Sequence, residues 1–376
     1  MDELRHLFRR AADHTADYRL SLPDRPVGVP VDQAALNEAF AGPLPDAPTP
    51  PEQVLAELVA AAEPGLVATA GPRYFASSSA APRPPPPPRT CWPPGGTRTR
   101  STLSPRPPRW PPSRPPEPGL GELLGIPATA SVGFVTGGQA ANTAGLAAAR
   151  HQVLADAGWD VERRGLSGAP AVRVFAGAER HATVDRSLRL LGLGTDALRP
   201  VPTGTQGAID PDALEAALRD AGPGPTIVCL QAGNVNTGAC DELRRACDLA
   251  HRYGGWAHVD GAFGLWAAAS PSTRHLVDGL EAADPWACDG HKWLNLPYDT
   301  AFAFCARPDA HAAAMSLAAA YLVGSGGVPA GAELTAESSR RARGFAVWAA
   351  CGSWAATASP RWSSGVARWP GGSPTG

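Results

Sequence analysis

From Trp256 to Thr300 the chain reads WAHVDGAFGLWAAASPSTRHLVDGLEAADPWACDGHKWLNLPYDT. Asp260 closes a short β-like run, Trp256 to Val259, and Lys292 follows 32 positions later inside Asp-Gly-His-Lys-Trp. On a strand His258 and Asp260 point to the same face, because side chains alternate. Asp260 then stands at the carboxyl end of its strand, where open α/β sheets bind ligands. A carboxylate there can hold a ring N–H⁺, and a lysine can form a Schiff base with an aldehyde. An N-cap aspartate and a surface lysine are the bland readings. The second is weakened by scarcity, since Lys292 is the only lysine in the chain.

Working outward, the region from Leu120 to about Ala320 alternates strand-like and helix-like stretches. Strands are expected at 132–135, 172–175, 226–230, 256–259 and 301–306. Helices are expected at 138–149, 183–191, 211–220, 241–253 and 309–319. Asp210 reads as an N-cap before Pro211 at the first helical position. This alternation predicts an α/β fold with a mainly parallel sheet covered by helices on both faces. Before it, 2–20 and 51–62 read as helices of an N-terminal arm (1–75) that packs on a partner subunit or stays peripheral.

Two stretches break the pattern. Between Pro82 and Pro118 lie sixteen prolines and seven arginines, with Leu103 as the one aliphatic side chain and Glu117 as the one acid. Such a composition cannot offset its ordering entropy by burial, so residues 76–118 are expected to be disordered. A polyproline II linker is one reading. The reading adopted is an out-of-frame stretch of a GC-rich gene, in which Ala and Gly codons shifted by one base give Pro and Arg. From Cys351 the tail contains no acid and no leucine but three tryptophans, and is read the same way.

Composition sets bounds. With 376 residues, 44% hydrophobic, the chain can bury a large core, and its formal charge of −2 gives no basic field for nucleic acid. The seven cysteines form no C-x-x-C pair, which argues against a zinc site or disulfide framework and for a reducing compartment. The first ten residues, MDELRHLFRR, lack the apolar core of a signal peptide. No apolar run approaches the about 18–20 residues of a membrane helix. The expectation is a cytoplasmic protein.

Further chemistry-bearing residues lie upstream of Asp260. In Phe134-Val-Thr-Gly-Gly-Gln-Ala-Ala-Asn142 a strand runs through Gly137 and Gly138 into a helix, aiming free backbone N–H groups at an anion, with Gln139 as an added donor. A lone Gly-Gly before a helix is more often a plain turn. His181, after the strand at 172–175, could lie over a flat ring or cap the following helix.

The spaced set TGGQAAN, ERHATVDRSLRLLG, HVDGAFG, DGHKWLNLPYD and SRRARGFAVWA resembles the group II pyridoxal-phosphate-dependent amino acid decarboxylases. The resemblance covers roughly residues 120–350 and the N-terminal helices. It implies a fold type I, aminotransferase-like architecture with a seven-stranded-type sheet, residues 119–322 as the cofactor-binding domain, and 323–350 as the start of a C-terminal small domain that is otherwise largely missing. It implies pyridoxal 5′-phosphate as cofactor, an L-amino acid with an aromatic or acidic side chain as substrate, and a homodimer. It assigns Lys292 to the cofactor aldehyde, Asp260 to the pyridine nitrogen, His181 to stacking on the ring, and Gly137, Gly138, Gln139 and His291 to the phosphate. Asn234, in Gly233-Asn234-Val235, takes the place of a Gly-Thr-Thr turn as a cofactor contact. Tyr321, 29 residues after Lys292, falls near a loop tyrosine that returns a proton to the substrate carbon, which favours decarboxylation over transamination. Asp289 replaces the Asn of the animal aromatic enzymes, and a helix holding Arg340 and Arg341 packs near the site. An aminotransferase, another lyase of this fold, or a remnant without activity are the alternatives.

Overall fold

The computed structural model describes residues 2–26, 33–40, 45, 47–66, 68, 70–72, 118–316, 333–337 and 340–353. Tyr321, the Pro/Arg-rich stretch before Pro118 and the tail beyond Ser353 lie outside the described residues. In chain order the elements are α1 (Asp2–Ser21), α2 (Gln33–Phe40), α3 (Pro51–Ala62), α4 (Pro118–Leu124), β1 (Ser131–Val135) and α5 (Gly138–Asp156). Next come α6 (Val161–Arg164), β2 (Arg173–Gly177), α7 (Ala182–Leu190), β3 (Leu198–Val201), α8 (Pro211–Ala221) and β4 (Thr226–Gln231). The last are α9 (Leu243–Arg252), β5 (Trp256–Asp260), β6 (Pro285–Asp289), β7 (Ala301–Cys305), α10 (Pro308–Met315) and α11 (Arg343–Ser353).

The seven strands form one sheet in the order β1-β7-β6-β5-β4-β2-β3. All neighbours are parallel except β7, which runs antiparallel to both β1 and β6. Every residue of β4, β5, β6 and β7 is buried, as expected where helices cover both faces. Their runs TIVCLQ and AFAFC accordingly lack the polar alternation of a half-exposed strand. The expected α/β class and mainly parallel sheet are found.

α5 lies across the middle of one face. Six of its ten buried residues are alanine or glycine, Ala141, Ala144, Gly145, Ala147, Ala148 and Ala149, so the helix axis approaches the strands closely. At Gly145 a methyl group would fall 2.8 Å from the His258 ring and 3.2 Å from Pro285. The buried Asn142 on this face is thereby delivered onto β5.

Several elements differ from the sequence expectation. β3 (LRPV) is an edge strand carrying Pro, a composition that hides strand character. β6 (PWACD) opens on Pro and has no β-branched residue, so propensity fails to mark it although the site depends on it. The helix expected from Asp241 starts at Leu243. Asp241 is instead a buried tie, accepting from Gln231 N at 2.6 Å and Ile209 N at 2.7 Å. The tail taken to begin at Cys351 enters the fold for three more residues, since α11 runs to Ser353 and Cys351 is buried.

Two buried histidines make stability depend on pH. Burial holds His311 at about 4, where it packs with Nδ1 2.9 Å from Ser131 Oγ. The unfolded chain takes up a proton at this residue below its ordinary value of 6.5, and the folded chain does so only near 4. The contribution is therefore intact above pH 6.5 and lost as pH falls toward 4. Replacing His311 with Asn removes the titrating group. Whatever its stability deficit at pH 7, that deficit is expected to shrink by roughly 2 kcal/mol at pH 5. Urea unfolding at the two pH values measures this, and an unchanged gap would show that the ring titrates freely in the fold.

Candidate active site

The sheet's carboxyl edge gathers the candidate residues. Asp260 is the last residue of β5 and is buried. Its Oδ2 accepts from Asn142 Nδ2 at 2.8 Å and from Thr183 Oγ1 at 3.4 Å, and its Oδ1 accepts from Ala262 N at 3.2 Å. On the far side of the amide, Asn142 Oδ1 lies 2.7 Å from His258 Nε2. His258 and Asp260 therefore do share a face, and Asn142 joins them. Burial lowers His258 to about 4, so near neutral pH its ring is uncharged and donates through Nε2–H to Asn142. Burial pushes the Asp260 carboxyl upward. The Asn142 and Ala262 hydrogen bonds, with the charges of His181 and Lys292, offset only part of that rise, so the carboxyl stays above its ordinary value.

His181 precedes α7 as its N-cap, Nδ1 accepting from Thr183 N at 3.3 Å and lying 2.9 Å from Thr183 Oγ1. Its backbone N–H donates to Gln231 Oε1 at 3.2 Å, which ties the turn to the end of β4. The ring is exposed on the open side of the site and close enough to act on Asp260. The capping role is present, with the imidazole near enough to bear electrostatically on the carboxyl.

The second half of the site is built at the N-terminus of α5. Gly137 is the N-cap and Gly138 the first helical residue of a 19-residue helix. A methyl group on Gly137 would sit 3.4 Å from the His291 ring, and one on Gly138 3.0 Å from Asp289 Oδ2. The two glycines thus let β6 and its following turn reach the free N–H groups of the helix end. The Gln139 side chain is directed elsewhere: Nε2 donates to Ser187 Oγ at 2.9 Å, with Thr143 Oγ1 at 3.2 Å and Thr183 O at 3.3 Å. Its backbone N–H, in the first turn, is the donor it can offer an anion.

Lys292 reaches Asp289 Oδ2 at 2.9 Å and lies 5.9 Å over the Phe263 ring. His291 accepts Thr300 N at Nδ1 (3.2 Å), stacks on Tyr298 with centroids 4.3 Å apart, and places Nε2 3.6 Å from Asp289 Oδ1. Asn234 is buried in the loop after β4. Its Oδ1 accepts from Asn236 N and Thr237 N, and its Nδ2 donates to Glu179 O at 3.3 Å, so the side chain shapes that loop.

Residues that sequence reasoning passed over complete the site. Asn142 and Thr183 carry the Asp260 network, and a buried amide amid alanines in QAANTAGLAAA was the available signal for the first. Asp299 was not singled out either. Its carboxylate takes Arg343 at 2.6 Å and Arg341 at 2.7 Å, linking α11 to the Tyr298–Thr300 turn that holds His291. Burial would raise the Asp299 carboxyl, but the Arg343 hydrogen bond and the two arginine charges outweigh it and lower the value. Arg340 donates to Phe134 O, and burial lowers its guanidinium to about 10.

The arrangement fits a phosphorylated aromatic aldehyde. The glycine cradle and His291 suit the phosphate, Lys292 beside it suits the aldehyde, and Asp260 at the other end suits a protonated ring nitrogen. Among the described residues no group of His, Cys, Asp or Glu could hold a metal ion, and no helix is long and apolar enough to cross a membrane.

Known proteins are similar to this chain in sequence and in fold. Rice (Oryza sativa subsp. japonica) tryptophan decarboxylase 1 is 28% identical over 309 residues, 78% of this chain and 59% of its own length. Human cysteine sulfinic acid decarboxylase is 35% identical over 164 residues, 43% of this chain and 32% of its own length. The chain thus spans less than two thirds of these relatives. Among solved structures, mouse CSAD in apo form matches with a TM-score of 0.58 at 26% identity, over 64% of this chain and 51% of that one. Oryza sativa TDC with PLP and tryptamine shares the fold, with a TM-score of 0.59 at 23% identity over 96% of this chain and 76% of that one. The model of the pyridoxal-dependent decarboxylase conserved domain matches residues 119–354. The chain belongs to that family, and pyridoxal 5′-phosphate is the cofactor its site is built for.

Proposed function

We propose that this chain decarboxylates an L-amino acid with an aromatic or acidic side chain, giving CO₂ and the amine. The observation that carries the reading is the pair formed by Asp260, a buried carboxyl group hydrogen-bonded by Asn142, and Lys292, the chain's one lysine, at the same edge of the sheet. The relatives named for tryptophan and for cysteine sulfinic acid support the two side-chain classes.

When bound, the cofactor supplies a conjugated ring that draws electrons from the substrate carbon. The protein's residues do the rest. Lys292 would hold the aldehyde end, its amine being the group the substrate amine displaces. Asp260 keeps a proton on the ring nitrogen, and a carboxylate fixed in advance by Asn142, Thr183 and Ala262 needs no reorganisation to do so. His181 would stack on the ring. The backbone N–H groups of Gly138 and Gln139, the close approach at Gly137, and His291 hold the phosphate. Asn234 borders the ring through the loop it shapes. Tyr321, outside the described residues, returns the proton to the substrate carbon. A homodimer in the cytoplasm completes the proposal.

The purified chain, supplied with pyridoxal 5′-phosphate and offered L-tryptophan, L-tyrosine, L-glutamate or L-cysteine sulfinate, is expected to release CO₂ and one amine. A keto acid instead of CO₂ would make it an aminotransferase. Visible absorbance from cofactor without turnover would make it a binding remnant. Lys292→Ala is expected to abolish turnover and that absorbance, and Asp260→Asn to lower kcat on the order of 10²–10³-fold with the fold intact. Asn142→Ala removes a hydrogen bond to a buried charge, worth about 1.5–3 kcal/mol, so cofactor affinity should fall roughly 10- to 100-fold. Absorbance titration with the cofactor checks this, and unchanged affinity would mean that Asp260 is held without Asn142.

A further inference from the structure

Asp289 lies at the phosphate end of the site and is itself an anion. It ends β6 with 2% of its surface exposed. Oδ2 is paired with Lys292 Nζ at 2.9 Å and lies 3.0 Å from where a Gly138 methyl would be. Oδ1 is buried with no hydrogen-bond partner, and the nearest charge-bearing group is His291 Nε2 at 3.6 Å. The carboxylate therefore rests against the N-terminal turn of α5, with half of its acceptor capacity unmet.

The other groups facing it are few. Gly138, Gln139, Ala140 and Ala141 bring no titratable side chain from the first turn of α5. From the segment after β5, Ala262 O accepts the Asp289 N–H, and Trp266 Nε1 donates to the Asp289 carbonyl at 3.0 Å. Asp260 is the next acid, acting with Asp289 and Lys292 on the buried Cys288 thiol between them. Lys292 Nζ is thus the nearest cationic group to Asp289 among the described residues, with the His291 ring next.

Cofactor loading removes that arrangement. A phosphate monoester has its second pKa near 6, so it arrives mostly as a dianion above neutral pH. It competes for the same helix end while Lys292 bonds the aldehyde. Two adjacent anions in one buried site do not both stay ionised. We infer that binding of the phosphorylated cofactor takes up one proton from solvent, shared between the Asp289 carboxyl and the phosphate. In the bonding step Nζ adds to the aldehyde carbon and water leaves. The ammonium yields one proton and the C=N nitrogen regains one, so the proton at Asp289 is additional. This rests on the cofactor reading above.

The test compares pyridoxal 5′-phosphate with pyridoxal, which has the aldehyde but no phosphate, by calorimetric titration at pH 8 in buffers of different ionisation enthalpy. The wild type should take up about one more proton with the phosphorylated ligand, and above pH 7 its Kd should climb about tenfold more per pH unit than that of Asp289→Asn, in which the excess vanishes. An equal excess in Asp289→Asn overturns the inference while leaving the cofactor reading intact. So does a zero excess in the wild type, which needs no variant. Failure of the wild type to bind either ligand overturns the cofactor reading, and this inference with it.

Discussion

The hydrogen bond from Asn142 to Asp260 is the contact on which the site depends. A carboxylate at the end of a buried central strand faces desolvation that favours its neutral form. A neutral acid there could not hold a proton on a ring nitrogen. Asn142 opposes this in part with one hydrogen to Asp260 Oδ2, its other going to Thr183 Oγ1. Its own orientation is fixed from behind by His258, whose burial keeps it uncharged and therefore directional: one nitrogen donates, the other does not. A protonated His258 would bring a second positive charge under the site and weaken Asp260's claim on the ring proton.

The helix geometry follows from that contact. For an amide on α5 to reach a strand residue at 2.8 Å, the helix must lie close to the sheet. Alanine and glycine on the facing side permit this, and larger residues would not. Gly145 is the tightest point, because the ring it would displace is the one that orients Asn142. The alanine-rich stretch AANTAGLAAA is thus a packing requirement of the carboxylate site as well as a helix former. The same helix places its N-terminus at the opposite end, beside His291 and Lys292. One element fixes both the negative pole and the anion cradle, and so the distance between them.

Much of this was legible in the sequence, for physical reasons. Long α/β alternation and N-caps such as Asp210 are local signals, and they placed most elements to within a few residues. Asp260, Lys292, His181 and the two glycines were legible because each departs from its background: an acid ending an apolar run, a single lysine, glycines opening a helix. What escaped depends on tertiary context. β6 is held as a strand by its neighbours β5 and β7, against its own weak propensity. Gln139 reads as an anion donor, yet α7 offers its amide two acceptors, Thr183 O and Ser187 Oγ, and its own helix a third, Thr143 Oγ1. The role of Thr183 requires knowing that α7 starts above β5, which sequence order alone does not give.

The helices at the two ends of the described chain bear on the site through one carboxylate. α11 packs against α2 and α3, with the Phe40 ring edge-on to Trp348 at 6.0 Å and Gly352 beside Val54. At its start, Arg343 and Arg341 converge on Asp299, and the adjacent Tyr298 stacks on His291. A buried arginine held by an acid and a backbone carbonyl is costly to separate. These contacts tie α11 to the turn that carries His291, beside Lys292. α11, packed on α2 and α3, thus braces the lysine turn at the phosphate end of the site, while α5 holds Asp260 from the other direction.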